Sequence, residues 1–401
     1  MKIEKVKWDG YLPEGFESSG INCGIKKDGK LDLGLVFAAE GMIIGSVFTK
    51  NKLKAASLKV SMEFIKEKRG KKAFLVNSGN ANCAVGRNGI LDSKEILKNL
   101  SKKLKCKMNE TLLFSTGKIG VRLPKQKIIN SVPKLIKKLN RKNGKIFAES
   151  IMTTDTFPKY VCYNCKYKNK SFKMVGIAKG AGMIQPDMAT MLAFVFTDAS
   201  VGVNYLNEIL KDSVKYSFNR INVDGCMSTN DSVLVCSSGK ADFPKIKKEE
   251  KYLADSFRKT LNLVLSDLAM MIIEDGEGAT KVIKIEVEGA KSEIDAKKVC
   301  YAVANSNLFK CSIYGKNPGW GRIYASVGAS GAFIIENRMN ISVCEIDVFK
   351  KGVPNKYDKV KMKKKMEEKN IFVKIALGVG KAGYCIWTND LTPKYIKINE
   401  G

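Results

Sequence analysis

Short apolar runs bounded by Gly, Asn and Asp recur along this chain: KAFLVNSGN, LLFSTGKIG, FKMVGIAKG, MLAFVFTDA, SVLVCSSG, VIKIEVEG and IFVKIALGVG. Runs of this length, continuous or alternating with a period of two, are what a strand buried on one or both faces requires. Between them the apolar residues shift to helical spacing. Leu253, Phe257, Leu261, Val264, Leu265, Leu268 and Met271 fall on one face of a predicted helix that runs into the acidic turn Glu274-Asp275-Gly276-Glu277-Gly278. Further helices are predicted over Asp92 to Lys105, Pro124 to Asn140 and Tyr205 to Ser217. Strands in both hairpin-like and helix-separated arrangements predict a layered α/β or α+β fold, with helices sandwiching β-sheets. At 401 residues and 44% hydrophobic the chain can bury a substantial core as two domains or one large one, and neither a repeat nor a Pro/Gly/Ser-rich linker marks a boundary.

A formal charge of +30 raises nucleic acid as a partner, because clustered cations release counterions from phosphate. The excess is nearly all lysine and is spread through every segment. Its densest run, KVKMKKKMEEKN (Lys359 to Asn370), has no interleaved aromatics and carries its own glutamates, so a solvated surface is expected rather than a nucleic-acid site. The opening MKIEKVKWDGYLPEG has no apolar signal region, and no later window is long enough to span a bilayer; no membrane association and a cytoplasmic location are expected. Eleven cysteines without a leader read as reduced thiols packed as small core residues. Cys162 and Cys165, in VCYNCKY, have no second CxxC and no histidine to complete a ligand set, so no metal site is expected. Gly378, Gly380 and Gly383 spell GxGxxG after IFVKIAL, but YCIWTND follows, another β-type run where a dinucleotide site needs a helix N-terminus. A tight strand-to-strand turn is the reading there.

The chain contains no histidine. Ser-His-Asp and Cys-His mechanisms are therefore excluded, leaving lysine, carboxylates or an α-amine as the base. GAGMIQPDMATMLAFVFTDA (Gly180 to Ala199) runs from a glycine-rich turn through Thr190 into an apolar strand. A threonine hydroxyl is too weak an acid to act alone, but an α-amine titrates near ~7.7 to 8, so a threonine that becomes an N-terminus carries its own base. Cleavage before Thr190 would supply it. An isolated threonine more often simply opens a strand as a β-branched residue. The neighbours change that balance: Gly180 and Gly182 permit close backbone approach, Pro186 fixes a turn, and Lys179 places a cation nearby.

AKGAGMIQPDMATML resembles the cleavage and active-site signature of the ornithine acetyltransferase family, the bifunctional glutamate N-acetyltransferases of arginine biosynthesis, whose precursors cut themselves between Ala and Thr. The resemblance runs over essentially the whole chain, through GIKKDGKLDLGLVF, VFTKNKLKAAS, LVNSGNAN, FSTGKIG, IMTTDTFPK, SFNRINVDG, STNDSV, EDGEGATK, GWGRI and TNDLTPKYIKIN. It implies a self-cleaving fold with an N-terminal threonine nucleophile. Cleavage at Ala189–Thr190 would give an alpha chain, residues 1–189, and a beta chain, residues 190–401, assembled as a heterotetramer of two of each. By the same resemblance Thr190 is the nucleophile, Thr116 and Gly117 form the oxyanion hole, and Thr153, Lys179, Glu277 and Asn399 contact substrate, with Thr154 the alternative to Thr153. Each has suitable chemistry: a cation for a substrate carboxylate, an anion for an ammonium, neutral groups for polar atoms. The implied reaction is ping-pong: N2-acetylornithine acetylates Thr190, ornithine leaves, and the glutamate amine takes the acetyl group. No cofactor is implied, and because some members of the family accept acetyl-CoA, that co-substrate stays open.

Several positions depart from the family pattern. Cys226 replaces the usual acid after VDG, Asn317-Pro318-Gly319 replaces Asp-Pro-Asn before WGR, Cys83 and Val85 alter the NSGNAN block, and the short tail usual after Asn399 is missing beyond Glu400-Gly401. These bear on packing and substrate affinity rather than on the nucleophile. Two other readings stay open: a self-cleaving amidohydrolase or aminopeptidase that passes its acyl group to water, and a non-catalytic basic protein that keeps the fold.

Overall fold

The computed structural model describes residues 1–67, 70–185 and 191–400. These fall into two compact units, one of Met1–Gly180, residues 191–219 and Met227–Met271, the other of Ala181–Gln185, Arg220–Cys226 and residues 272–400. The predicted cleavage site, Ala189–Thr190, lies outside the described residues.

The first unit contains β1 (Lys2–Val6), β2 (Glu17–Ile21), β3 (Leu33–Phe48), β4 (Lys71–Asn80), β5 (Thr111–Lys118), β6 (Lys159–Tyr167), β7 (Lys170–Lys179), β8 (Leu192–Thr197) and β9 (Ser232–Ser237). Its helices are α1 (Ala56–Lys66), α2 (Gly86–Leu104), α3 (Lys125–Lys137), α4 (Gly144–Ser150), α5 (Val203–Lys215) and most of α6 (Lys251–Glu274). Among the described residues the strands form one nine-stranded sheet in the order β1-β6-β7-β8-β9-β3-β4-β5, with β2 also on β3. Strand β3 serves two layers: Leu33 to Phe37 pair with β2 and β4, whereas Ile43 to Phe48 pair with β9. The layers close on an aromatic core in which Phe74 of β4 stacks on Phe194 of β8 at 4.9 Å between centroids, and Phe114 and Phe147 meet Phe194 edge-on at 5.7 Å each. Such pairs contribute beyond their buried area.

Helices cover the outside, as the alternation of the strands requires. From β6, the Tyr163 hydroxyl donates to Asp267 of α6 at 2.9 Å and Cys165 lies 3.1 Å from the Thr260 hydroxyl, whereas Cys162 joins the core between the layers. Residues three apart on a strand point to opposite faces, so the CxxC sulfurs diverge. Burial pushes both thiols up, Cys162 to about 11 and Cys165 to about 12. At the other edge α1 covers β5, where Ser61 Oγ donates to the Leu113 carbonyl at 2.7 Å and accepts its N–H at 2.9 Å. The fold is thus the layered α/β arrangement expected, helices outside sheets. Residues on either side of the predicted cut build this one sheet: β1 to β7 precede it and β8 and β9 follow it.

The second unit has β10 (Val282–Ala290), β11 (Asn340–Val343), β12 (Ile346–Lys350), β13 (Val353–Pro354), β14 (Asn370–Ala376) and β15 (Ala382–Asn389), with α7 (Glu293–Ala304), α8 (Asn307–Tyr314), α9 (Trp320–Gly328), α10 (Lys359–Lys365) and α11 (Pro393–Asn399). Its sheet order is β13-β12-β11-β14-β10-β15. Period-two alternation buries Ile283, Ile285 and Val287 of β10 together with Val299 and Val303 of α7, while Lys284 and Glu286 pair on the open face at 2.7 Å. The GxGxxG run corrects its expectation in one respect. It is not a tight turn between neighbouring strands, because β10 lies between β14 and β15. The loop crosses the end of β10, with Leu377 N–H donating to the Glu288 carbonyl and Gly380 N–H to the Gly289 carbonyl, each at 2.9 Å. A Cβ on Gly380 would lie 2.2 Å from the Ala290 carbonyl oxygen, so the glycine is there for close backbone approach.

The predicted helix from Asp92 starts earlier, at Gly86, because Gly89 carries no side chain where Ala56 and Asn82 press in. Among the described residues no helix is long and apolar enough to cross a membrane.

Candidate active site

In the first unit the expected residues gather where β7 ends and β8 and β9 begin. Strand β7 runs antiparallel to β8 with Lys179 opposite Leu192, and β9 runs parallel to it with Ser232 opposite Leu192. Ser232 N–H donates to the carbonyl of Met191 at 3.0 Å. Two ionisable side chains therefore flank the head of β8, Lys179 on one neighbouring strand and Asp231, just before β9, on the other. Both are buried, at 7% and 1% exposure.

Lys179 Nζ donates to the Thr116 hydroxyl at 3.3 Å, which brings the β5 end into the same place. The next residue, Gly117, has φ +132°, and a Cβ on it would lie 2.3 Å from the Gly79 carbonyl carbon. Only glycine lets β4 and β5 approach so closely where they pair Gly79 with Gly117. The strand ends thus set Thr116 half-buried and Gly117 exposed, side by side.

Asp155 organises the rest of this cluster, and it was not among the residues expected from the sequence. Its side chain is fully buried, pairs with buried Lys159 at 2.7 Å, and accepts the N–H groups of Thr153 at 2.9 Å and Gly180 at 2.7 Å. Burial opposes its ionisation, but the charges of Lys179 and Lys159 and these donors outweigh it and hold the carboxyl well below the usual range. The same contacts separate the two candidate threonines: Thr153 is half-buried and tied to Asp155 through its backbone, while Thr154 is exposed. Lys26 holds the preceding turn by donating to the Met152 and Leu31 carbonyls at 2.7 and 2.8 Å, and burial lowers its pKa.

In the second unit Glu277 and Asn399 come together. Asn399 Nδ2, at the end of α11, donates to Glu277 Oε2 at 2.8 Å. Glu277 follows α6 and is fixed by its N–H to the Ala181 carbonyl at 3.0 Å. A Cβ on Gly182 would lie 2.3 Å from the Glu277 carboxylate, so this glycine is what admits the acid. Asp224 ties down the adjoining segment by accepting the N–H groups of Met183, Ile184 and Cys226 at 2.5, 2.9 and 3.1 Å. Its Oδ2 also accepts the Tyr395 hydroxyl at 3.4 Å, and burial followed by the Asp224 charge pushes the Tyr395 phenol up. The acid missing at Cys226 therefore leaves an anchoring carboxylate two residues earlier. At the altered Asn317-Pro318-Gly319 turn, Asn317 Oδ1 still caps the Gly319 N–H at 2.9 Å, the acceptor role an aspartate would play.

Thr190 and Ala189 lie outside the described residues; Thr116, Gly117, Lys179 and Thr153 fall in one unit, Glu277 and Asn399 in the other. The sequence carried a signal for the missed groups, since Asp155, Asp224 and Asp231 sit inside the blocks IMTTDTFPK, INVDG and STNDSV, but their roles depend on folded neighbours.

Comparison with known proteins agrees along the chain. The sequence profile of the ArgJ family matches residues 17–401. A protein of Caldanaerobacter subterraneus named arginine biosynthesis bifunctional protein ArgJ is 41% identical over 393 residues, covering 97% of this chain and 96% of that one. The similarly named protein of Geobacter sulfurreducens is 39% identical over 388 residues, covering 96% and 98%. A crystal structure of the arginine biosynthesis bifunctional protein of Bacillus halodurans matches with a TM-score of 0.50 and 37% identity, over 53% of this chain and 100% of that chain. On a profile match from residue 17 onward, and on relatives of this identity over nearly their whole length, the chain belongs to the ArgJ family.

Proposed function

We propose that this protein is the self-processing acetyltransferase of arginine biosynthesis that moves an acetyl group from N2-acetylornithine to glutamate through an acetyl-Thr190 ester. Thr190 Oγ first attacks the Ala189 carbonyl carbon; the amide C–N bond breaks, the proton leaving Oγ ends on the Thr190 amine, and water releases the resulting ester. The freed amine then serves as base toward its own hydroxyl during turnover and as acid to the departing ornithine amine. The Thr116 hydroxyl and Gly117 N–H receive the developing oxyanion, where one donor typically contributes about 2.7 to 4 kcal/mol. Lys179 takes a substrate carboxylate, Glu277 with Asn399 takes an ammonium, and Thr153 supplies a neutral polar contact. The acetyl group needs no resident cofactor on this route, and glutamate rather than water is the acceptor.

The observation that carries the reading is the convergence of Lys179 and Thr116 at the head of β8, the strand that starts two residues after Thr190. Self-cleavage into chains of residues 1–189 and 190–401 is supported by a solved relative whose full length corresponds to 53% of this chain, about the share of residues 190–401. The shared sheet supports their staying together, since β7 and β8 keep six paired positions across the cut, from Met174 with Thr197 to Lys179 with Leu192. Dimerisation of such pairs gives the heterotetramer.

Intact-mass analysis tests the whole reading. Fresh protein is expected as two fragments breaking at Ala189/Thr190, with one acetyl added to the Thr190 fragment by N2-acetylornithine and removed by glutamate. Acetyl loss to water at the same rate without glutamate would favour the hydrolase, and Thr190→Ala protein that still cleaves and transfers would overturn the assignment.

A further inference from the structure

Asp231 is the most deeply buried acid beside the proposed nucleophile strand, and the reaction as described does not use it. It sits directly before β9 at the level of Met191, the residue after Thr190, since Ser232 pairs with Leu192 and donates to the Met191 carbonyl at 3.0 Å. Its carboxyl accepts the Met191 N–H and meets the hydroxyls of Thr49 and Ser228. The Asp231 carbonyl accepts the Thr49 N–H at 3.0 Å, and Thr49 Oγ1 in turn donates to the Ser228 carbonyl at 2.9 Å, so both supporting residues are themselves held. Asp231 Oδ2 is buried with no hydrogen-bond partner among the described residues. A buried carboxyl kept in that condition is costly, and a well-packed leucine would serve the core better.

We propose that Asp231 is a positioning residue for the nucleophile: its carboxyl grips the Met191 backbone at the head of β8 and so sets where Thr190 stands for both self-cleavage and acetyl transfer. The grip requires an acceptor of this shape, not a charge. Burial pushes the carboxyl well above the usual carboxylate range, against the Lys179 charge and the hydrogen bonds it makes. A carboxamide keeps the shape of the carboxyl and its accepting oxygen, which makes asparagine the conservative replacement.

The inference rests on the assignment of Thr190, and the test separates the two. The rates of self-cleavage and of acetyl transfer are measured for the wild type, Asp231→Asn, Asp231→Leu and Thr49→Val, with melting curves as the folding check. Asp231→Asn is expected to stay within about 3-fold of wild type in both rates, and folded Asp231→Leu to lose ~30-fold or more in cleavage and in kcat with KM unchanged. Thr49→Val, which removes one support of the carboxyl, is expected to lose about 5-fold in both, and it decides the matter should the leucine variant not fold. Wild-type rates in folded Asp231→Leu, or in Thr49→Val where the leucine variant does not fold, would overturn the proposal. So would equal losses in Asp231→Asn and Asp231→Leu, because an acceptor of the right shape would then not suffice. A wild-type protein that neither cleaves nor takes up acetyl would instead sink the reading of Thr190.

Discussion

The two units hold their expected site residues in contrasting ways. In the first, Thr116, Gly117 and Lys179 stand at the ends of strands locked into one nine-stranded sheet, and the surrounding charges are buried: Lys159, Lys179 and Asp155 share one cluster. In the second, Glu277 lies on a turn after a helix and Asn399 at the end of a seven-residue helix, joined by one hydrogen bond. Chemistry that must place donors to within a fraction of an ångström suits sheet ends. Groups that hold a flexible substrate can sit on turns and a helix end.

This contrast can be broken in order of expected effect. Gly117→Ala should be the most damaging, because no Cβ fits 2.3 Å from the Gly79 backbone. Displacing the proposed oxyanion donors should cost ~100-fold or more in kcat. A variant with normal kcat would remove the argument that strand ends set the chemistry. Next, Asp155→Ala takes away the buried carboxylate facing Lys159, and a loss of roughly 3 to 5 kcal/mol should appear as a lowered melting temperature. The pH dependence sharpens it. The folded-state pKa of Asp155 is depressed, so its stabilisation is complete above the unfolded value and fades as pH drops below about 4. The gap between wild type and Asp155→Ala should therefore narrow in acid, and a constant gap would show that packing, not charge, is what was lost.

Smaller effects belong to the second unit. Asn399→Ala removes one bond to a carboxylate, so KM should rise about 10-fold with kcat little changed, as steady-state kinetics would read. A fall in kcat of the same size would place Asn399 among the strand-end group. Smallest of all, Lys248→Ala breaks an exposed 2.7 Å pair with Glu208, and denaturant unfolding should move by less than about 0.5 kcal/mol. A larger shift would mean that the lysine-rich surface is more than a solvated face.

Much of this was legible beforehand. The runs around Phe74, Leu113, Ile177, Phe194, Val235 and Ile285 are strands, because continuous or alternating apolar residues leave a short segment few other ways to bury them. Strand β3 leaves no continuous apolar run in the sequence, since Glu40 and Gly41 interrupt its pattern where it passes from one layer to the other. Helix α2 begins at Gly86 rather than at Asp92, because Gly89 serves packing against Ala56, a contact that no local pattern states. The crossing of the Gly378 loop over β10 depended on which strands became neighbours, and nothing local states that.

From the sequence alone came the absence of histidine, and with it the need for a base of another kind, along with the ordered blocks that mark the family and the strand periodicities that specify its layers. These are local or covalent properties, and they survive without coordinates. The tertiary structure decided which charges meet. Asp155 reaches Lys179 and Gly180 across about twenty-five residues, Thr116 meets Lys179 across sixty-three, and Asp231 comes to the head of β8 from forty residues on. Burial and long-range pairing give those groups their ionisation and their roles, and both depend on the whole sheet having closed.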